Sequence, residues 1–176
     1  MNRSASPGLA SKAPPETLPG ARVLVVEDEE MIRELLEQTL RDEGFRVDVV
    51  GSGEAALRRL EGSLYDVVLL DLNLPGMHGL NVLSAAPVTQ TDAQFIVMTA
   101  FGSVDTAVEA MKLGAFDYIA KPFRTEELLL TLRRAQEETA LRREVAQLRS
   151  RAESGVRSRI LGKTPAIQRV FDLVER

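Results

Sequence analysis

The stretch Val67-Val68-Leu69-Leu70-Asp71-Leu72-Asn73-Leu74-Pro75-Gly76 sets an unbroken apolar run against one carboxylate and then a turn. Apolar runs without alternation suit a strand covered on both faces, as in a parallel sheet, and Pro75-Gly76 is a loop signal. In open parallel sheets, chemistry collects at the carboxyl ends of the strands. The pattern predicts a strand that presents Asp71, unburied, at its exit.

Three other runs end the same way: Val23-Leu24-Val25-Val26 leads into Glu27-Asp28, Phe95-Ile96-Val97-Met98 into Thr99, and Asp117-Tyr118-Ile119-Ala120 into Lys121. If the strands are parallel, these acids, a hydroxyl and an ammonium meet Asp71 at one rim. Such a set suits a divalent cation beside a phosphoryl group. Hard oxygen ligands hold Mg²⁺, which keeps several waters and takes few carboxylates. The hydroxyl and the ammonium serve phosphoryl oxygens as hydrogen-bond donor and positive charge. A carboxylate in that company is a candidate phosphoryl acceptor.

Between these strands the apolar spacing turns helical. Ile32, Leu35, Leu36 and Leu40 predict an amphipathic helix stopped at Gly44, whereas Phe45, Val47 and Val49 alternate with Arg46 and Asp48 as in a half-exposed edge strand. Ser52 can cap a short helix carrying Ala55, Ala56, Leu57 and Leu60. Leu80, Val82, Leu83 and Ala86 fit a helix that Pro87 ends or kinks. Val104, Ala107, Val108 and Met111 mark another, ending near Gly114, and Thr125 opens the last, with Glu126 and Glu127 at its positive end. Strand and helix alternating in this way predict a doubly wound α/β domain over residues 21–135.

Composition narrows the classes. The 176 residues have room for one ordinary domain plus extra segments, and 44% hydrophobic with 27% charged residues suits a soluble domain with a real core. A net charge of −4 offers no electrostatic reason for this piece to bind nucleic acid. With no cysteine and one histidine, disulfides and thiol chemistry are excluded and a structural zinc site is disfavoured. No apolar run approaches the roughly 20 residues that span a bilayer. Residues 1–20, rich in Ser, Ala and Pro, are expected to be a disordered tail without a secretory signal, and the expected compartment is the cytoplasm.

Val23-Leu24-Val25-Val26-Glu27-Asp28-Glu29, Asp71-Leu72-Asn73-Leu74-Pro75-Gly76-Met77, Met98-Thr99-Ala100 and Gly114-Ala115-Phe116-Asp117-Tyr118-Ile119-Ala120-Lys121-Pro122-Phe123 together resemble the receiver domain of bacterial two-component response regulators. The likeness covers residues 21–135, with four motifs in order. It implies a five-stranded, flavodoxin-like parallel sheet of order 2-1-3-4-5. It also implies that Asp71 is the phosphoacceptor for a sensor histidine kinase. Asp28, Asp71 and the backbone carbonyl of Asn73 would ligate Mg²⁺, with Glu27 holding a metal-bound water or a direct place. Lys121, its bond to Pro122 cis as in the family, would pair with Asp71 and then with the phosphoryl group. Thr99 and Tyr118 resemble the switch pair: Thr99 moves to donate to the acyl phosphate and Tyr118 turns inward. Changing a two-state ratio from 1:99 to 99:1 takes about 5.5 kcal/mol of differential interaction. Asn73 and Phe101 stand where the family tunes dephosphorylation. An apolar ring at 101 cannot orient an attacking water, so the phosphorylated form is expected to be long-lived.

From Thr125 to Ser154 there is no Pro or Gly, and helix formers dominate. A continuous helix would run roughly 40 Å. Leu128, Leu132, Ala135 and Thr139 form one seam, and Leu141, Val145, Leu148 and Ala152 a second shifted by one residue. This predicts an imperfect coiled-coil linker over 136–158 and hence a homodimer. Ile160-Leu161-Gly162-Lys163-Thr164-Pro165-Ala166-Ile167-Gln168 resembles the opening of the AAA+ domain of sigma-54-dependent activators of the nitrogen-regulation type. Residues 159–176 would then be its truncated start. Arg157 stands where a P-loop needs glycine, so no ATP site is expected in this chain. The resemblance implies, in a longer protein, an ATPase domain acting with sigma-54 RNA polymerase and DNA.

Two other readings use the same residues. Haloacid-dehalogenase-like phosphatases also place Asp, Thr, Lys and Mg²⁺ together, but they need a second Asp as general acid where Asn73 has no titratable proton. A purely structural dimerisation module would carry the fold without phosphorylation. The expected chemistry is a regulatory phosphoacceptor, limited to self-phosphorylation from small donors and autodephosphorylation. His78 is expected at the surface, as neither ligand nor phosphodonor.

Overall fold

The computed structural model describes residues 20–86, 92–100 and 104–160, with the backbone alone at 100, 104 and 151–160. Strands β1 (Arg22–Val26), β2 (Arg46–Val50), β3 (Val67–Asp71), β4 (Gln94–Ala100) and β5 (Asp117–Lys121) alternate with helices α1 (Glu30–Asp42), α2 (Gly53–Gly62), α3 (Gly79–Ala85), α4 (Val104–Lys112) and α5 (Thr125–Ile160). All strand pairs are parallel, in the order β2-β1-β3-β4-β5. The predicted doubly wound, flavodoxin-like class is the fold that forms.

β3 sits at the centre and every one of its residues is buried. Successive strand residues point to opposite faces, so the unbroken apolar run feeds two cores. Val68 and Leu70 pack with Leu24, Ala56, Leu60, Val82 and Val97 on one face. Val67 and Leu69 pack with Val23, Leu36, Leu40, Ile96 and Leu132 on the other. β2 lies at the edge, paired only to β1, with Val47 buried and Arg46 exposed.

The local signals act as their chemistry dictates. Ser52 Oγ accepts from the Ala55 amide at 3.3 Å and caps α2. Gly44, at φ 87°, takes the left-handed conformation that ends α1. Two helical faces differ from expectation. Leu35 is exposed, as is Met31, and α1 buries Leu36 and Leu40. On α4 the inward residues are Ala107 and Ala110, while Val108 and Met111 are exposed.

The expected dimer seam divides. Leu128, Leu132 and Ala135 are buried in this chain's own core, against the sheet, and are not available to a second copy. The sheet face needs an apolar cover, and the first turns of α5 supply it. Leu141, Val145 and Leu148 remain exposed. α5 runs without a break from Thr125 through 135 to Ile160, the continuous helix that the sequence predicts. Among the described residues, no helix is long and apolar enough to cross a membrane. The expectations for the N-terminal tail, Pro87, Phe101 and the segment 161–176 lie outside the described residues.

Candidate phosphoacceptor site

The strand register brings the site together. Val26 is opposite Leu70, so Glu27 and Asp71 emerge side by side where β1 and β3 end. Asp71 is opposite Met98, which puts Thr99 one step further along β4, and Ala100 is paired to Lys121 of β5. Residues separated by as many as 94 positions therefore reach one rim: Lys121 Nζ donates to Asp71 Oδ2 at 2.5 Å and to Glu27 Oε2 at 2.6 Å.

Oxygen atoms from Glu27, Asp28 and Asp71 lie within 4.8 Å of one another. Asp71 Oδ1 accepts from the Asn73 amide at 2.9 Å, and Glu27 Oε1 from the Glu29 amide at 3.4 Å. Asp71 is not presented openly as the sequence suggested; it is 3% exposed and Glu27 is 0% exposed. Lys121 on one Asp71 oxygen and the Asn73 amide on the other close it off.

Burial pushes the Glu27 carboxyl above its ordinary value, and the nearby Asp71 charge adds to this. The hydrogen bond and charge of Lys121 and the Glu29 amide offset only part of the rise. Burial alone would lower Lys121, but hydrogen bonds to Asp71 and Glu27 and the charges of both outweigh it and hold the ammonium above its usual range. Three carboxylates against one ammonium leave a formal charge of −2 when all are ionised. Hard oxygen donors with that excess fit a divalent cation such as Mg²⁺.

The Lys121-Pro122 peptide is cis. Thr99 is buried at the end of β4. Tyr118 is 51% exposed and points outward, bordering a groove of about 340 Å³ with Ala107, Val108, Met111 and Lys112 of α4. His78 is the N-cap of α3, its Nδ1 accepting from the Leu80 amide at 3.3 Å, a structural role.

Two residues that matter were not singled out from the sequence. Arg33 of α1 donates Nη1 to the carbonyls of Glu27 at 2.9 Å and Asp28 at 3.1 Å, fixing the loop that carries both acids. Gly79 packs so closely beneath the site that an added Cβ would stand 2.4 Å from the Asp71 carbonyl oxygen. A glycine opening a helix, against its propensity, was the available sign; for Arg33 there was none, because only the fold shows where a helical arginine reaches.

A five-stranded parallel sheet of this order, with clustered acids and a lysine at its carboxyl rim, defines a receiver module. The model of the response regulator receiver domain matches residues 23–133, and the chain belongs to that family. It is 37% identical over 127 residues to the regulatory protein AtoC of Escherichia coli (strain K12), a match covering 72% of this chain and 28% of AtoC. The crystal structure of NtrX from Brucella abortus in complex with ADP superposes with a TM-score of 0.70 at 34% identity, covering 76% of this chain and 30% of NtrX. A response regulator receiver domain protein from Clostridium thermocellum is similar over 98% of its length, with a TM-score of 0.65 and 30% identity. The chain thus spans under a third of AtoC and of the NtrX chain.

Proposed function

We propose that Asp71 accepts a phosphoryl group from a phosphohistidine on a sensor kinase. An Asp71 oxygen attacks phosphorus, the phosphorus–nitrogen bond breaks, and the imidazole leaves with the electron pair, yielding an acyl phosphate. The observation that carries this reading is the pairing of Lys121 with Asp71 at 2.5 Å inside a cluster of three carboxylates. Mg²⁺, held by Asp28, Asp71 and the Asn73 carbonyl with Glu27 beside it, would supply charge neutralisation for the incoming anion. Lys121 keeps a cation at the oxygens that gain charge, and the buried position of Asp71 limits water at the reacting atoms.

After transfer, Thr99 donates to the phosphoryl oxygens and Tyr118 turns from its exposed position, remodelling the groove beside α4. Phe101 slows hydrolysis, so Phe101→Glu is expected to shorten the lifetime of the acyl phosphate. The exposed Leu141, Val145 and Leu148, spaced 4 and 3 residues apart on α5, supply a coiled-coil seam for a homodimer. Altered dimer geometry would control an AAA+ ATPase domain that activates sigma-54-dependent transcription in the cytoplasm. This output rests on the resemblance of residues 160–176 to the start of such a domain, and is favoured by the similarity to NtrX, whose crystal structure contains ADP.

The test is incubation with acetyl phosphate and Mg²⁺. A base-labile adduct on Asp71, absent from Asp71→Asn, is expected. If neither acetyl phosphate nor the cognate kinase labels the protein, the phosphoacceptor reading fails and the structural module stands.

A further inference from the structure

The apolar cover that α5 gives the sheet ends at Ala135, yet the helix stays against the body for two more turns. Thr139 is buried, and its Oγ1 lies 3.0 Å from the Ala135 carbonyl, 3.2 Å from that of Asp66 and 3.3 Å from that of Asp92. One turn later the Arg143 guanidinium donates to Asp66 Oδ1. From Glu144 to Ser150 the helix is exposed.

Asp66 is itself held. Its Oδ2 accepts from the Arg22 amide at 2.7 Å and its carbonyl from the Gln94 amide at 3.0 Å, so it is fixed to the amino-terminal ends of β1 and β4 while directly preceding β3. An isolated surface ion pair contributes little because two long side chains must be ordered to make it, but a network with a pre-ordered partner escapes part of that cost. Only the Arg143 side chain has to be ordered here.

We propose that Thr139 and Arg143 latch α5 to Asp66, so that the receiver and its linker helix move as one body as far as Arg143, and the unbroken helix is free to bend away from the domain only from Glu144 onward, where it is exposed. Thr139 and Arg143 are positioning residues. The exit direction of the linker is then set at the sheet edge opposite Asp71, by the residue that precedes the phosphoacceptor strand. The latch residues lie outside the Asp71 cluster, so the latch can be tested whether or not Asp71 is a phosphoacceptor.

The chain has no cysteine, so introduced pairs can be spin-labelled without background. The exposed positions Glu61 on α2, Arg142 just inside the latch and Arg149 beyond it serve as Glu61→Cys with Arg142→Cys, and Glu61→Cys with Arg149→Cys. Each labelled chain is diluted with unlabelled protein so that only intrachain distances report. The near pair is expected to give a narrow distance distribution and the far pair a broader one. Arg143→Ala should widen the near distribution to match the far one, with Arg143→Lys intermediate. Thr139→Val should widen it in part, and an unchanged melting transition of the receiver would show that folding is intact. A near distribution already as broad as the far one in the parent, or one that Arg143→Ala leaves unmoved, overturns the latch.

Discussion

The two ends of the sheet treat charge in opposite ways. Toward the amino-terminal edge the acids have basic or hydrogen-bonding partners: Asp66 has Arg143 and the Arg22 amide, and Asp48, midway along the edge strand β2, has the Arg22 guanidinium at 3.0 Å and the Tyr65 hydroxyl at 2.8 Å. At the carboxyl rim, Glu27 and Asp71 share the Lys121 ammonium, and Asp28 adds a third carboxylate to the cluster. A matched set lowers the energy of the folded chain and asks for nothing more. An unmatched one raises it and is stabilised by a cation, which is what a binding site requires.

Four substitutions would break or sharpen this contrast. Asp71→Asn is expected to abolish the phosphoryl adduct completely while leaving the fold intact, as read by intact-protein mass and circular dichroism. Lys121→Met removes the ammonium that two buried carboxylates share. It should cost about 3 kcal/mol in urea unfolding, toward the low end for breaking a buried pair. Its pH dependence has a definite sign. Glu27 is already raised in the folded protein, so its contribution to stability is present below about 4.5 and lost as pH rises through the folded value. Without Lys121 that loss should be larger, and the deficit should shrink on acidification.

Gly79→Ala tests whether the backbone beneath the rim can yield. The Cβ would press on the Asp71 carbonyl, and a loss of about 2 kcal/mol is expected from overpacking, with weaker Mg²⁺ binding measured by titration. Asp48→Asn, at the matched edge, should cost only about 1 kcal/mol. Burial would raise the Asp48 carboxyl, but its bonds to Tyr65 and Arg22 together hold it below its ordinary value. Its stabilisation is therefore present above about 3.8 and lost as pH falls through the folded value. Burial and the bond to Asp48 raise Tyr65, whose contribution is lost as pH climbs through its folded value, above 10.0. Asp48→Asn should flatten both limbs of the stability curve. An Asp48→Asn loss as large as that of Lys121→Met would erase the distinction between the two ends.

The sequence by itself determined the order of strands and helices, the edge position of β2, the cap at Ser52 and the set of acids, hydroxyl and ammonium that end the strands. These follow from period, turn chemistry and motif spacing, which are local properties of the chain. Tertiary structure alone decided which apolar residues are spent inward. Leu128, Leu132 and Ala135 read as a seam for a second chain until the sheet is present to take them, whereas Leu141 and Leu148, on the same helix, have no sheet beneath them. It also decided that Asp71 is covered, that Lys121 bridges two acids, and that Arg33, Gly79 and Arg143 matter. Each of these depends on distances between residues remote in sequence, and helical or strand periodicity carries no information about what lies across the gap.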